Sequence, residues 1–166
     1  MRNQIPYQIV GGTRFFDRRE IKDVIGYLRL IFNDRDDVSF LRVINTPSRK
    51  LGVATINVLK KYSSEYNLSL FQILEHIDDI SELNEGKKLA LRSFRELIKR
   101  LQKEVAEKPI SLVLDEVVEK THFFKWLDDG TGEGEARIEN VRELSSVAGR
   151  YDSADNGLAA LSLIHI

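Results

Sequence analysis

The sequence predicts a mainly α-helical bundle carrying a short strand–helix stub at its N-terminus. Apolar residues recur at three- and four-residue steps through most of the chain after residue 17, the mark of helices with one buried face. Asn, Gly and Pro clusters cut these stretches into pieces of ordinary helical length. Only Tyr7-Gln8-Ile9-Val10, stopped by Gly11-Gly12, reads as a strand, and the glycine pair reads as a turn and hinge. With 166 residues, 42% of them hydrophobic and 31% charged, the chain can bury a core. The absence of cysteine excludes a disulfide scaffold, a zinc ribbon, a thiol nucleophile and an iron–sulfur site. No run approaches the roughly 18–20 apolar residues of a membrane helix, and the start MRNQIPYQIV lacks the apolar core of a signal peptide. No membrane partner and a cytoplasmic location are therefore expected.

The elements follow in order. Asp17-Arg18-Arg19-Glu20 has the form of a capping box, and Ile21, Val24, Ile25, Leu28 and Ile31 line one face of the helix it opens. Residues 38–44 form a short apolar helix stopped by Asn45-Thr46-Pro47-Ser48. A helix is expected from near Val53 to about Tyr66, with Val53, Ile56, Leu59 and Lys60 at helical spacing. Ser69-Leu70-Phe71-Gln72 is a second capping box, opening a helix to about residue 77. The longest helix, 85–107, carries Phe94, Leu97, Ile98, Leu101 and Val105 in one stripe and is broken by Pro109. Further helices are expected over 110–118, 122–127 and 136–148, the last preceded by a Gly- and acid-rich loop at 128–135. Trp126 reads as core.

Few residues suggest catalysis. His76, His122 and His165 are isolated, and no metal-ligand set or phosphate-loop lysine is present. Gly130-Thr131-Gly132-Glu133-Gly134 follows a helix and is ringed by carboxylates that would repel phosphate. The informative feature is a local charge imbalance. Between Asp37 and Glu65 there is no acid, while Arg42, Arg49, Lys50, Lys60 and Lys61 are all basic. At its centre a bend ending in Gly52 leads into a helix start, where backbone N–H groups and the helix dipole favour an anion. The spacing alone fits either a helix-hairpin-helix phosphate site or a solvated basic turn between helices.

One resemblance goes further. Ile5-Pro6-Tyr7-Gln8-Ile9-Val10-Gly11-Gly12-Thr13-Arg14-Phe15-Phe16-Asp17-Arg18-Arg19-Glu20-Ile21-Lys22-Asp23, with Tyr27-Leu28-Arg29 after it, closely resembles the UvrD/Rep/PcrA-type superfamily 1 DNA helicases. The segments Asp36-Asp37-Val38-Ser39-Phe40-Leu41-Arg42-Val43-Ile44-Asn45-Thr46-Pro47 and Arg137-Ile138-Glu139-Asn140-Val141-Arg142-Glu143-Leu144 match that family's patterns in the same order. The resemblance implies that residues 1–32 end the first pass through a RecA-like α/β motor domain, 2A. Residues 33–160 would then be an incomplete helical 2B domain that grips duplex DNA.

It implies ATP and Mg²⁺ for a full-length protein, bound by motifs this chain lacks, so the fragment has no catalytic residues, cofactor or metal of its own. The implied partners are duplex DNA, the single-strand/duplex junction, and the 1A, 1B and 2A domains of the same chain. Arg42, Thr46, Ser48, Arg49, Lys50, Gly52, Thr55 and Lys60 would bear the duplex contacts. Arg14 and Arg18 would touch single-stranded DNA, or else Arg18 would pair with Glu20 or Asp23. Phe15 and Phe16 are expected in the core, and Asn140 and Arg137 are expected to brace the final helix. Two departures stand out. Lys50-Leu51-Gly52 occupies positions where the family usually has Gly-Ile-Gly. Residues 161–166, Leu-Ser-Leu-Ile-His-Ile, look like a translated transposon end and are expected to be a non-native tail. The competing reading is a helical protein-interaction module using the acidic loop and Phe123–Trp126.

Overall fold

A computed structural model describes residues 13–150 and residue 152. The strand expected at 7–10, the Gly11–Gly12 hinge and the tail at 161–166 lie outside the described residues. Among the described residues every regular element is helical. In order these are α1 (Thr13–Phe16), α2 (Arg19–Phe32), α3 (Asp37–Val43), α4 (Val53–Tyr66), a 3-10 helix (Gln72–Asp79), α5 (Glu85–Val105), α6 (Ile110–Lys120), α7 (Phe123–Leu127) and α8 (Gly132–Gly149). None is long and apolar enough to cross a membrane. The chain forms two compact units, Gly26–Lys103 and Met1–Ile25 with Glu104–Ile166.

In the unit Gly26–Lys103, Tyr27, Phe40 and Phe94 are fully buried, with the Phe94 ring edge-on to Phe40 at 5.8 Å and tilted against Tyr27 at 6.5 Å. Gly26 is placed by close packing, since a Cβ there would lie 3.0 Å from Val43. Helix α3 starts where Asp36 accepts from the Ser39 N–H at 3.0 Å and the Ser39 hydroxyl at 2.8 Å. The second capping box forms reciprocally. Ser69 N–H donates to Gln72 Oε1 at 3.0 Å, and Gln72 N–H donates to Ser69 Oγ at 3.2 Å. It opens a 3-10 helix instead of the α-helix expected, with His76 out of helical geometry at φ −106°, ψ 17°. The face expected on α4 is also incomplete. Leu59 is buried, but Val53 is 76% exposed.

One polar tie holds the flank of α4. The Glu82 carboxylate accepts from the Tyr62 hydroxyl at 2.6 Å and from Lys61 Nζ at 3.0 Å. Those bonds, Tyr62 first, hold its pKa at about 2 against an ordinary 4.5, and the same contact raises the pKa values of Tyr62 and Lys61. A carboxylate depressed in the folded state contributes stability above its unfolded pKa and loses it as pH falls through the folded one. Glu82→Gln is therefore expected to lower the melting temperature slightly at pH 6. The gap from wild type should close between about pH 4.5 and 2. The effect is small because the pair is solvated. Paired melts across that range provide the check, and a gap that does not shrink between pH 4.5 and 2 would contradict it.

In the other unit, Phe15 and Phe16 are buried as expected, their rings edge-to-face at 5.3 Å. Asn140 braces α8 as expected: its Nδ2 donates to the buried Glu20 at 2.7 Å, and its Oδ1 accepts from Arg18 at the same distance. Arg18 thus reaches Glu20 through Asn140. The Gly-rich loop is shorter than expected, because α8 begins at Gly132 with Thr131 as N-cap accepting from the Gly134 N–H at 3.1 Å. Only glycine fits at 134, where a Cβ would lie 2.8 Å from the Leu127 carbonyl. Hydrogen bonds from Thr131 lower the pKa of Asp129. Trp126 is 42% exposed and so departs from its expected core position.

Candidate nucleic-acid interface

The connection from α3 to α4, residues 44–52, owes its shape to Asn45, Leu51, Tyr27 and Arg49. Asn45 Oδ1 accepts from the backbone N–H of Arg49 at 3.3 Å and of Leu51 at 3.0 Å, and Asn45 Nδ2 donates to the Leu51 carbonyl. Leu51 is driven inward at 1% exposure, pinning the bend to the core. The Thr46–Pro47 peptide is cis. From α2, the Tyr27 hydroxyl donates to the Thr46 carbonyl at 2.6 Å.

Arg49 is spent inside this bend. Its Nη1 donates to the carbonyls of Val43 at 2.9 Å and Ile44 at 2.7 Å, and its Nη2 donates to the Tyr27 hydroxyl at 2.7 Å. The guanidinium also stacks 4.7 Å above the Phe94 ring. Thr55, counted among the contact residues from the sequence, is 6% exposed and faces the core side of α4. Lys61 is paired with Glu82.

What remains outward is compact. Thr46 is half-buried, Ser48, Lys50 and Gly52 are exposed, and Arg42 and Lys60 are exposed on the flanking helices. Gly52 is the N-cap of α4 with no capping side chain, and no acid lies in the first turn. Its first-turn N–H groups and the positive end of its dipole therefore point out of a basic surface. Nothing lies within 4 Å of where a Gly52 Cβ would be, so a ligand can approach the backbone closely. Lys87 of α5 donates from Nζ to the Lys50 carbonyl, adding a cation 37 residues distant in sequence. In the other unit, Arg14 is exposed and Arg18 lies 5.6 Å over the Phe15 ring while bonded to Asn140.

Sequence reading missed Tyr27, Asn45 and Lys87. Asn45 stood in the sequence as part of a helix stop and Tyr27 only as a letter of a quoted motif, whereas Lys87 carried no local signal. No group of three or more potential metal ligands occurs among the described residues.

The UvrD-like helicase C-terminal domain matches residues 1–166. The chain belongs to the UvrD-like helicase C-terminal domain family. It is 41% identical over 157 residues to DNA helicase II of Haemophilus influenzae, covering 94% of this chain and 22% of the relative. It is 38% identical over 173 residues to the ATP-dependent DNA helicase PcrA of Staphylococcus epidermidis, covering 99% and 24%. To DNA helicase II of Salmonella typhimurium it is 38% identical over 152 residues, covering 91% and 21%. The chain thus spans about a quarter or less of these relatives.

Lys50, like Asn67 and His122, is a non-glycine residue with a positive φ in this member of the UvrD-like family. It sits at φ 60°, the left-handed region that glycine enters without penalty. Lys50→Gly is expected to stabilise the fold by roughly 0.5–1 kcal/mol, after offsetting the larger unfolded-state entropy of glycine. Urea unfolding measures it, and a loss of stability would show that the side chain contributes packing.

Proposed function

We propose that the chain is part of an ATP-dependent, 3′-to-5′ DNA helicase, and that its helical 2B-type lobe grips duplex DNA by the phosphate backbone next to the junction with single-stranded DNA. The observation that carries this reading is the bend at 46–52. It combines an uncapped, acid-free helix start with Lys50 and Lys87 beside it and Arg42 and Lys60 on either flank. Such a surface suits closely spaced phosphates, whose contacts carry no sequence information. Arg14 and Arg18 are proposed for single-stranded DNA, Arg14 with the greater freedom to reach it. ATP and Mg²⁺ would be handled by the 1A and 2A motor domains of a full-length protein, and the 2B role would be to hold and regulate. No ATPase activity is expected from this chain alone.

Binding by the chain should be weak and insensitive to sequence, with Kd roughly 10⁻⁴–10⁻⁶ M, and log K should fall against log salt with a slope of about −3. Titrating a hairpin duplex at several salt concentrations tests it. Exposed Trp126 beside the acidic residues 128–135 supports the second reading, a protein-docking role. Absent or salt-insensitive DNA binding would favour that alternative.

A further inference from the structure

Arg49 is a cation in the middle of the basic bend, yet its guanidinium is committed to the protein. Two backbone carbonyls, a phenolic oxygen and an aromatic face surround it. Tyr27 completes the arrangement, because its hydroxyl accepts from Arg49 while donating to the Thr46 carbonyl. The three carbonyls held by this pair, those of residues 43, 44 and 46, form the descending side of the bend. Asn45 fixes the ascending side through Leu51. A guanidinium so engaged would have to give up three charge-assisted or buried hydrogen bonds to meet a phosphate. Among the described residues the Lys50 side chain has no such bonds to give up, and Lys87, which donates one to the Lys50 carbonyl, keeps two further N–H donors for a phosphate.

We propose that Arg49 is a positioning residue for duplex binding, anchored by Tyr27: it holds the bend in the shape that presents the α4 amides and Lys50, and does not itself contact phosphate. The inference rests on the duplex-binding reading above and predicts a division between shape and charge. A direct phosphate contact contributes about 0.9 to the salt slope, whereas a positioning residue contributes none.

The test measures hairpin-duplex affinity from about 50 to 200 mM salt for wild type, Arg49→Lys, Arg49→Met, Tyr27→Phe and Lys50→Ala. Circular dichroism first establishes that each variant is folded at the assay temperature. Both Arg49 variants are expected to bind about fivefold more weakly at every salt concentration with the slope unchanged. Retaining positive charge in Arg49→Lys should give no rescue, because a lysine cannot bridge the carbonyls and Tyr27 together. Tyr27→Phe should lose affinity in the same way, and combining it with Arg49→Met should add little. Lys50→Ala should flatten the slope by about 0.9.

A slope flattened by Arg49→Met and restored by Arg49→Lys would make Arg49 a phosphate contact and overturn the proposal. Lower melting temperatures with unchanged affinity of the folded variants would also overturn it, leaving Arg49 purely structural. Should Arg49→Met fail to fold, Tyr27→Phe carries the same test by itself. Failure of the wild type to bind duplex is a separate result, which removes the function and this role together.

Discussion

Replacing Phe94 with alanine is expected to destabilise the unit Gly26–Lys103 by about 3–5 kcal/mol, the range for truncating a buried phenylalanine. The ring is 1% exposed and packs on both Tyr27 and Phe40. It is also the platform under the Arg49 guanidinium, so truncation removes both a core side chain and the support beneath the bend. Phe94→Leu keeps the apolar volume but loses the aromatic face, and should be much less destabilising while still weakening duplex binding. Denaturant unfolding with a duplex titration separates the two effects. A loss below about 1 kcal/mol in Phe94→Ala would mean that the site collapses easily and that the ring does not organise the core.

The second large effect is electrostatic. In the Lys50→Glu, Lys87→Glu double variant, duplex affinity at about 0.1 M salt should fall roughly a hundredfold, and the salt slope should flatten from about −3 to about −1. Each phosphate contact releases condensed counterions, so two lost contacts remove about 1.8 from the slope, and repulsion from the new carboxylates adds to the loss. Both lysines are at the surface, and neither makes an ion pair among the described residues, so the fold should tolerate the change. Reversing Lys87 alone is the more informative half, because only the folded chain brings it to the bend. An unchanged slope in that single variant would remove α5 from the interface.

Much of the fold could be read in advance because its signals are local. The Ser69–Gln72 box forms as the spacing implies, and the α2 face from Ile21 to Ile31 is buried throughout. The failures have physical causes. Val53 fits a helical stripe, but it occupies the first turn of α4, beyond the edge of the core. The 3-10 geometry of residues 72–79 is not encoded in apolar spacing alone. The start of α8 was hidden because Gly134, which resembles a loop residue, is required in its first turn by close backbone approach. At the candidate interface the sequence located the bend but could not rank its cations. Arg49 and Lys50 are neighbours with equal formal charge. Only the path of the chain turns one inward to Tyr27 and Phe94 and the other outward at φ 60°.

The resemblance and the family membership agree on the helicase relationship, while the proposed contact residues rest on the geometry of one bend. Thr55 illustrates the difference between position and role. It stands in the first turn of a helix whose dipole favours phosphate, but its side chain is buried, so any contribution it makes comes from its backbone amide.

The most direct measurement is the salt dependence of wild-type binding to a hairpin duplex of arbitrary sequence. Backbone recognition through residues 46–52 predicts a linear fall of log K with log salt, slope about −3, unaltered when the duplex sequence is changed. A flat salt dependence, or no binding to duplex DNA at low salt, would contradict it.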